Sequence, residues 1–402
     1  MIKVLAGVRV VEQGTFITGP AAGMLLADLG ADVIKVEQPG TGDPFRAFEG
    51  GLYSPHFQTY NRNKRSVTLD LRSADERSTF DALIAEADVY IQNFRPGTAE
   101  QLGAGEERLR ALNPGLIYCA ISGFGATGPA AQRPSYDTVA QAASGFLGLL
   151  INPANPRVTG PAIADSITGF YAAYGILGAL FERSRTGKGR RVEVSMLEAM
   201  THFNLDAFTH YYSAGEVMGP YSRASVSQSY ALQCSDSKWI ALHMSSPEKF
   251  WRGLAQAIEK PDLLDDMRFA TRAGRIAHQE ELIRILSGLF VRRTRADWTQ
   301  RLQQQDVPHA PIYDSSEALQ DPQAQHLQLL VSSEHPRMGT FRTVRCPVSF
   351  DGQRALQVTA PPVLGEHDAE VRAELAQLAR QAEAAGPKHR PPEDHRSDDE
   401  YR

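Results

Sequence analysis

VRVVEQGTFITGPAAGMLLADLGADVIKVEQ, residues 8–38, reads as a strand, a turn, a helix and a second strand. VRVVEQ (8–13) and ADVIKVEQ (31–38) are short and rich in β-branched residues, whereas GPAAGMLLADLG (19–30) carries the small and aliphatic residues of a packed helix. Apolar strands joined through helices build right-handed βαβ units, which assemble into a parallel sheet covered on both faces. The same texture continues through SVTLDL (66–71), the helical DERSTFDALIAEA (75–87), DVYIQNF (88–94) and LIYCAISGFG (116–125). Residues 1–205 are therefore expected to form the large domain of an α/β protein, Rossmann-like with a parallel sheet.

Beyond 205 the pattern changes. Residues 206–225 show no repeat of the earlier units and are expected to be a linker. SYALQCSDSKWIALHM (229–244) looks like strand, turn, strand, and helical patterns follow in 246–258, 278–291 and 295–305. Residues 226–325 thus predict a smaller α+β domain. A return linker and a C-terminal part of the large domain are expected over 326–380, with β-like QLLVSSEH (328–335) and VRCPVSF (344–350) before a helix near 368–385. The polar stretch 381–402 is expected to be a disordered tail.

With 402 residues, 42% hydrophobic and 22% charged, the chain can bury cores of ordinary size, and two domains are the starting expectation. The formal net charge of −5 offers no global attraction to nucleic acid or to an anionic membrane. Cys119, Cys234 and Cys346 are far apart and form no C-x-x-C pair, which argues against a disulfide framework and fits a reducing cytoplasm. No export signal is expected from MIKVLAGVRVVEQG (1–14), and the longest apolar run, Phe170 to Phe181, is too short by itself to span a bilayer.

Open parallel sheets bind ligands beyond the carboxyl ends of their strands. Four such places are polar or glycine-rich: GTFITGPAAG (14–23), LDLR (69–72), NFRPG (93–97) and SGFGATGP (122–129). The first lacks the G-x-G-x-x-G dinucleotide fingerprint, although Glu37 stands where a ribose-binding acid would be expected. Eleven histidines include no H-E-x-x-H, so no metal site is expected, and neither a G-x-S-x-G elbow nor a Walker loop occurs. The cluster Arg183, Arg185, Lys188, Arg190, Arg191 reads as a solvated turn, with phosphate contact the minority reading.

PAIADSITGFYAAYGILGALF (161–181) places one acid, Asp165, before an apolar helix. Asp is a strong N-cap, because its carboxylate accepts from the free N–H groups of the first turn. The same geometry could present a nucleophile held ionised by the helix dipole. Both readings stand at this point.

The ordered set of motifs decides further. GPAAGMLLADLGADVIKVEQPGTGDPFR (19–46), NRNKRSVTLDL (61–71), NFRPGTAEQLG (93–103), LNPGLIYCAISGFGATGP (112–129), YDTVAQAASG (136–145), ADSITGFYAAYGILGALFERSRTGKGRRVEVSM (164–196) and PPVLGEH (361–367) together resemble the family III CoA-transferases, which include formyl-CoA and carnitine CoA-transferases. The resemblance implies that Asp165 is the nucleophile. It would attack an acyl-CoA thioester, giving a mixed anhydride and then an aspartyl-CoA thioester. It also implies CoA contacts at Ile17 and Thr18, at Leu69, Asp70, Leu71 and Arg72, at Asn93, Phe94 and Arg95, and at Ser122, Gly123, Phe124 and Gly125. Arg72 and Arg95 suit phosphate, and Phe94 suits adenine or pantetheine. Coenzyme A enters as substrate, with no permanently bound cofactor.

Some positions depart from the family pattern. Gln38 and Gln101 stand where formyl-CoA transferases carry basic residues, Ser122 stands in place of a lysine, and SRASVSQSYALQC (222–234) lacks the glycine-rich covering loop. Oxalate specificity is therefore not implied; small carboxylic or dicarboxylic acids are, with succinyl-CoA as donor. The related α-methylacyl-CoA racemases use a His that would fall at Tyr136, a poor proton shuttle at neutral pH. A NAD-dependent dehydrogenase or a non-catalytic CoA-binding module are the readings from other classes. The resemblance further implies ring-like subunits in an interlocked homodimer, with no nucleic-acid or membrane partner.

Overall fold

The structure, a computed structural model, describes residues 3–245 and 247–385. Six strands, β1 (Arg9–Glu12), β2 (Asp32–Glu37), β3 (Lys64–Thr68), β4 (Val89–Gln92), β5 (Ile117–Ser122) and β6 (Arg191–Ser195), form one sheet in the order β3-β2-β1-β4-β5-β6. Every pairing is parallel. Winding reverses between β1 and β4, which opens a crevice at their carboxyl ends. Neighbouring residues of one strand serve opposite faces: Val10, Val33, Val89 and Ile117 pack with the helices Thr18–Asp28 and Ile163–Thr186, while Val11, Ile34, Tyr90 and Tyr118 pack with Phe80, Leu83 and Val371. That double burial is why these strands read as continuous apolar runs.

The helix Ile163–Thr186 has 24 residues, longer than its apolar run because helical structure continues through polar turns to a left-handed Gly187. Among the described residues it is long and apolar enough to cross a membrane by length and composition. Its buried residues are nearly all small, Ala164, Thr168, Gly169, Ala172, Ala173 and Ala179, with Ile176 among them. This lets it lie close to the Thr18–Asp28 helix. A Cβ at Gly169 would stand 2.7 Å from the Ala21 Cβ and 2.9 Å from the Thr18 carbonyl oxygen. Its opposite face leaves Phe170, Tyr174 and Phe181 exposed.

A second core is built only from residues between Tyr230 and Val307. Strands β7 (Ser229–Gln233), β8 (Trp239–His243) and β9 (His309–Ile312) form its antiparallel sheet, and Trp298 stacks on Phe290 with ring centroids 4.4 Å apart. The segment expected to be a plain linker carries helices Leu205–Ala214 and Ser222–Ser227, and the first buries none of its residues. A helix without a buried face has no apolar period, so sequence pattern could not show it.

VRCPVSF does not make a single strand: Val344 ends β11 (Gly339–Val344), which pairs with β10 (Leu330–His335), and Ser349–Phe350 forms a separate two-residue bridge. Pro347 between them cannot donate to a ladder. The helix Asp368–Ala385 then returns to the large sheet, where Glu374 meets Arg65 at 2.7 Å, Glu76 meets Arg372 at 2.8 Å, and Val371 and Leu375 join the core beside β3. The expected tail begins inside this helix at 381, and 386–402 lie outside the described residues.

Gly169→Val is expected to destabilise the chain by about 1–3 kcal/mol, since the two helices must separate to admit the side chain. Urea or thermal denaturation checks this; an unchanged midpoint would contradict the close packing.

Candidate active site

Charges buried inside the sheet shape the loop after β1. Lys35, on β2, is fully buried with its Nζ 2.8 Å from Glu12 Oε1, 3.0 Å from Asp43 Oδ2 and 2.7 Å from the Gly14 carbonyl oxygen. Lys64, on β3, takes the other Glu12 oxygen at 2.6 Å and the Pro20 carbonyl at 2.8 Å. Burial alone would raise the Glu12 carboxyl, but Lys35 and Lys64 outweigh it and hold it below its usual value. Burial pulls Lys64 down to about 8 against the pull of Glu12. Space for this cluster depends on Gly23, where a Cβ would stand 2.2 Å from Glu12 Oε2.

Glu37 does not wait for a ribose. Its carboxylate is buried and held in a fork by Arg46, with both distances 2.7 Å, while Ser66 donates to it at 2.7 Å. Every direction from which a ribose hydroxyl could approach is taken. The expectation of a ribose-binding acid is therefore corrected, and with it the main support for a dinucleotide site.

The loop itself is clamped from two sides. Asp43 accepts from the Phe16 N–H at 3.1 Å. Asn93, just beyond β4, accepts from the Thr15 N–H at 2.9 Å and donates to the Thr15 carbonyl at 2.7 Å and to Thr18 Oγ1 at 2.9 Å. Its amide is spent on the loop, so Asn93 shapes the site rather than presenting a free group to ligand. These clamps hold Phe16 at φ 59°, a left-handed conformation that costs a non-glycine residue about 1–3 kcal/mol. Its ring packs edge-on against Phe45 and Tyr136. Nothing in the sequence marked Phe16.

Three adjoining cavities meet at Phe94. The central one, about 350 Å³, is lined by Phe16, Ile17, Thr18, Asn93, Phe94, Arg95, Ser122, Gly123, Arg133, Tyr136 and Asp165. A narrower one of about 140 Å³ touches Leu69, Asp70, Leu71 and Arg72, and a wider one of about 860 Å³ touches Arg95, Ser122, Phe124 and Gly125. Asp165 and the CoA-contact positions implied by the resemblance thus all border these adjoining cavities, with differing freedom. The Leu69 and Leu71 side chains belong to the core. Arg72 folds back on Asp70, at 2.8 and 3.0 Å, in a solvent-exposed pair. Ser122 Oγ accepts from the Gly125 N–H at 3.0 Å and closes the SGFG turn. Arg95 and Arg133 have no acid partner among the described residues; Arg133 lies over the Phe124 ring at 5.0 Å.

Asp165 is not the cap of its helix. The helix begins at Ile163 with Ala162 at the N-cap, placing Asp165 in the first turn, where it faces the central cavity. Its carboxyl is also harder to ionise than that of an ordinary Asp. Burial pushes it up to about 7, and the neighbouring Asp137 charge adds to the rise. The positive helix end favours the anion by only about 0.3–1 kcal/mol and is outweighed.

Residues 5–368 match the family model described as CoA-transferase family III. The chain belongs to this family. It is 34% identical over 390 residues to the succinate–glutarate CoA-transferase of Agrobacterium fabrum, covering 94% of this chain and 97% of that protein. It is 33% identical over 380 residues to the succinyl-CoA–D-citramalate CoA-transferase of Chloroflexus aurantiacus, covering 93% and 94%. Among solved structures, a CAIB/BAIF family protein from Brucella suis superposes with a TM-score of 0.83 at 34% identity, covering 93% of this chain and all of that one. As a family III CoA-transferase the chain is an enzyme that acts on CoA thioesters. Racemase chemistry is not favoured: Tyr136 supplies a phenol where that reaction needs an imidazole, and the relatives named are transferases. Among the described residues no group of three or more His, Cys, Asp or Glu stands together as a metal site.

Asp165's raised value has a measurable consequence for stability. Between its ordinary value of 3.8 and about 7 the folded chain keeps a proton that the unfolded chain has released, so this group costs stability as pH rises through that window. Asp165→Asn is expected to stabilise the protein at pH 8 by on the order of 1–2 kcal/mol, less at pH 5, after discounting for residual solvent access. Thermal melts at the two pH values read the difference. An equal effect at both would show a solvated carboxylate of ordinary value.

Proposed function

We propose that this enzyme transfers coenzyme A from an acyl-CoA thioester to a small dicarboxylic acid, with Asp165 as the covalent nucleophile. The observation that carries this reading is the placement of the Asp165 carboxyl in a cavity between the starts of two helices, bordered by Phe94 and by two arginines that have no acid partner among the described residues. The ionised carboxylate attacks the thioester carbonyl, the C–S bond breaks, and CoA thiolate leaves an acyl-aspartyl anhydride behind. The thiolate then attacks the aspartyl carbonyl, releasing the donor acid and forming an aspartyl-CoA thioester. The acceptor carboxylate reverses both steps, and Asp165 is regenerated.

No external oxidant, reductant or water is needed, and exclusion of water protects the anhydride. Arg95, shared with the wider cavity, suits CoA phosphate, and Phe94 suits the pantetheine or adenine moiety. Arg133, which lines the same cavity as Asp165, suits the second carboxylate of an acid such as succinate or glutarate. The relatives that act on succinate, glutarate and citramalate support that class, with succinyl-CoA as donor. Ile17, Thr18 and the 122–125 turn would line the CoA path.

Asp165→Asn should abolish transfer, with a loss of at least about 10³-fold in kcat, while the protein stays folded. Wild-type kcat/KM should fall on the acid side with a midpoint near pH 7, because the free enzyme must lose the Asp165 proton to attack. Hydroxylamine or borohydride, applied after incubation with succinyl-CoA, should mark the peptide holding Asp165. Near-normal turnover by folded Asp165→Asn enzyme would end this mechanism.

The assembly we infer is an interlocked homodimer. The exposed Phe170, Tyr174 and Phe181 of the long helix and Tyr211, Tyr212, Val217 and Tyr221 after it support a large covered surface. The departure of the chain from the sheet after β6 and its return at the Asp368–Ala385 helix suit a ring-like subunit. Light scattering across a dilution series should show a dimer throughout; a folded monomer at low concentration would contradict it.

A further inference from the structure

The helix that carries Asp165 has no capping side chain of its own. Its first-turn N–H groups are satisfied from elsewhere: those of Ala164 and Asp165 both donate to Oδ1 of Asp137, at 2.8 and 3.3 Å. Asp137 opens a separate helix, Asp137–Ala143. Its Oδ2 accepts from Gln141 Nε2 at 2.6 Å. Gln141 is only 1% exposed, and its Oε1 is buried with no partner among the described residues. The amide is thus committed to the carboxylate even though its own acceptor goes unmatched. Three N–H donors converge on Asp137, the arrangement that suits a carboxylate anion. The Asp165 carboxylate accepts from none among the described residues.

We propose that Asp137 is the positioning residue of Asp165: one oxygen pins the first helical turn so that Asp165 faces the cavity, and the same carboxylate stands as the like-charged neighbour that the Asp165 anion must meet. A nucleophilic carboxylate is masked in this way until substrate displaces water and brings its own contacts. The upward displacement of Asp165, for which burial is the larger cause and Asp137 the second, agrees with this geometry.

Other groups facing Asp165 do not take over the role. Tyr60, on the Pro55–Tyr60 helix, is itself raised by burial, pulled back by Ser166, and raised again by the Asp165 and Asp137 charges. Arg95, Arg133 and Tyr136 line the same cavity, whereas Glu198, on the neighbouring Met196–Phe203 helix, lines the wider cavity and is taken up by Ser195 at 2.5 Å. Arginine in the cavity would favour the Asp165 anion, so Asp137 is the nearby group that opposes it.

The proposal rests on the reading of Asp165 as nucleophile, and the test separates the two. Asp137→Asn keeps an acceptor oxygen and removes the charge; Asp137→Ser does the same with a shorter reach and serves if Asn does not fold. Carbon-13 NMR of labelled Asp carboxyls, assigned by comparison with Asp165→Asn, reads the Asp165 titration without reference to activity. In Asp137→Asn the Asp165 midpoint and the acid limb of kcat/KM should both move down by about one pH unit, with the far-UV spectrum unchanged. An unmoved NMR midpoint in a folded variant overturns the role of Asp137 whatever the rate does. A midpoint that moves while the rate profile stays put supports Asp137 and sinks Asp165 as the nucleophile.

Discussion

The ammonium of Lys35, buried between Glu12 and Asp43, is the contact on which the geometry of the crevice depends. It ties β1 to β2, holds the Gly14 carbonyl, and orients Asp43, which in turn holds the Phe16 N–H. Removing a single member of such a cluster leaves a charge stranded away from water, which typically costs about 3–5 kcal/mol, a large share of the roughly 5–15 kcal/mol that keeps a protein folded. The cluster is also the reason the strained Phe16 persists. A surface loop would relax to an ordinary conformation, whereas this one is held from two sides by Asp43 and Asn93, which are themselves fixed by Lys35 and by Thr18.

Above this rigid floor the electrostatics are reversed. The lower cluster balances each carboxylate with a cation, while the Asp165 carboxyl sits half-buried beside another acid and without a donor among the described residues. On the proposed reading of Asp165 as nucleophile this has a use, because an environment that destabilises a carboxylate anion before reaction raises its nucleophilicity. Two helix starts at the same crevice work in the opposite direction. Their partial positive charge is diffuse and fades within a turn, so burial and the close Asp137 charge prevail.

Much of the crevice was legible because parallel sheets leave a characteristic trace. Strands buried on both faces read as apolar runs, and the loops at their carboxyl ends read as polar or glycine-rich. Ile17, Phe94 and Ser122 could be placed there before any side-chain contact was known, whereas Asp165 lies in none of those loops and its place at the site came only from the family resemblance. The exceptions have physical causes. Arg72 was legible as a cation, but its fork with Asp70 depends on rotamers that sequence does not encode. Glu37 was legible as an acid at the end of a strand, and only tertiary structure shows Arg46, from nine residues on, filling its oxygens. Lys35 and Lys64 did leave a signal, since a charge in the middle of an apolar parallel strand needs a buried partner.

The sequence by itself determined the parallel sheet, its apolar faces, the smaller helical and antiparallel unit, and the membership of a family, because these follow from periodicity and from motifs local in the chain. Tertiary structure alone decided what each charged group does. Asp165 looked like the cap of its own helix, yet the cap comes from Asp137, 28 residues earlier. Whether a carboxylate is an anion, a cap or a restrained nucleophile depends on how much water it has lost and which charge stands within a few ångströms. Those quantities are set by contacts between segments distant in sequence, so they come into being only when the chain folds.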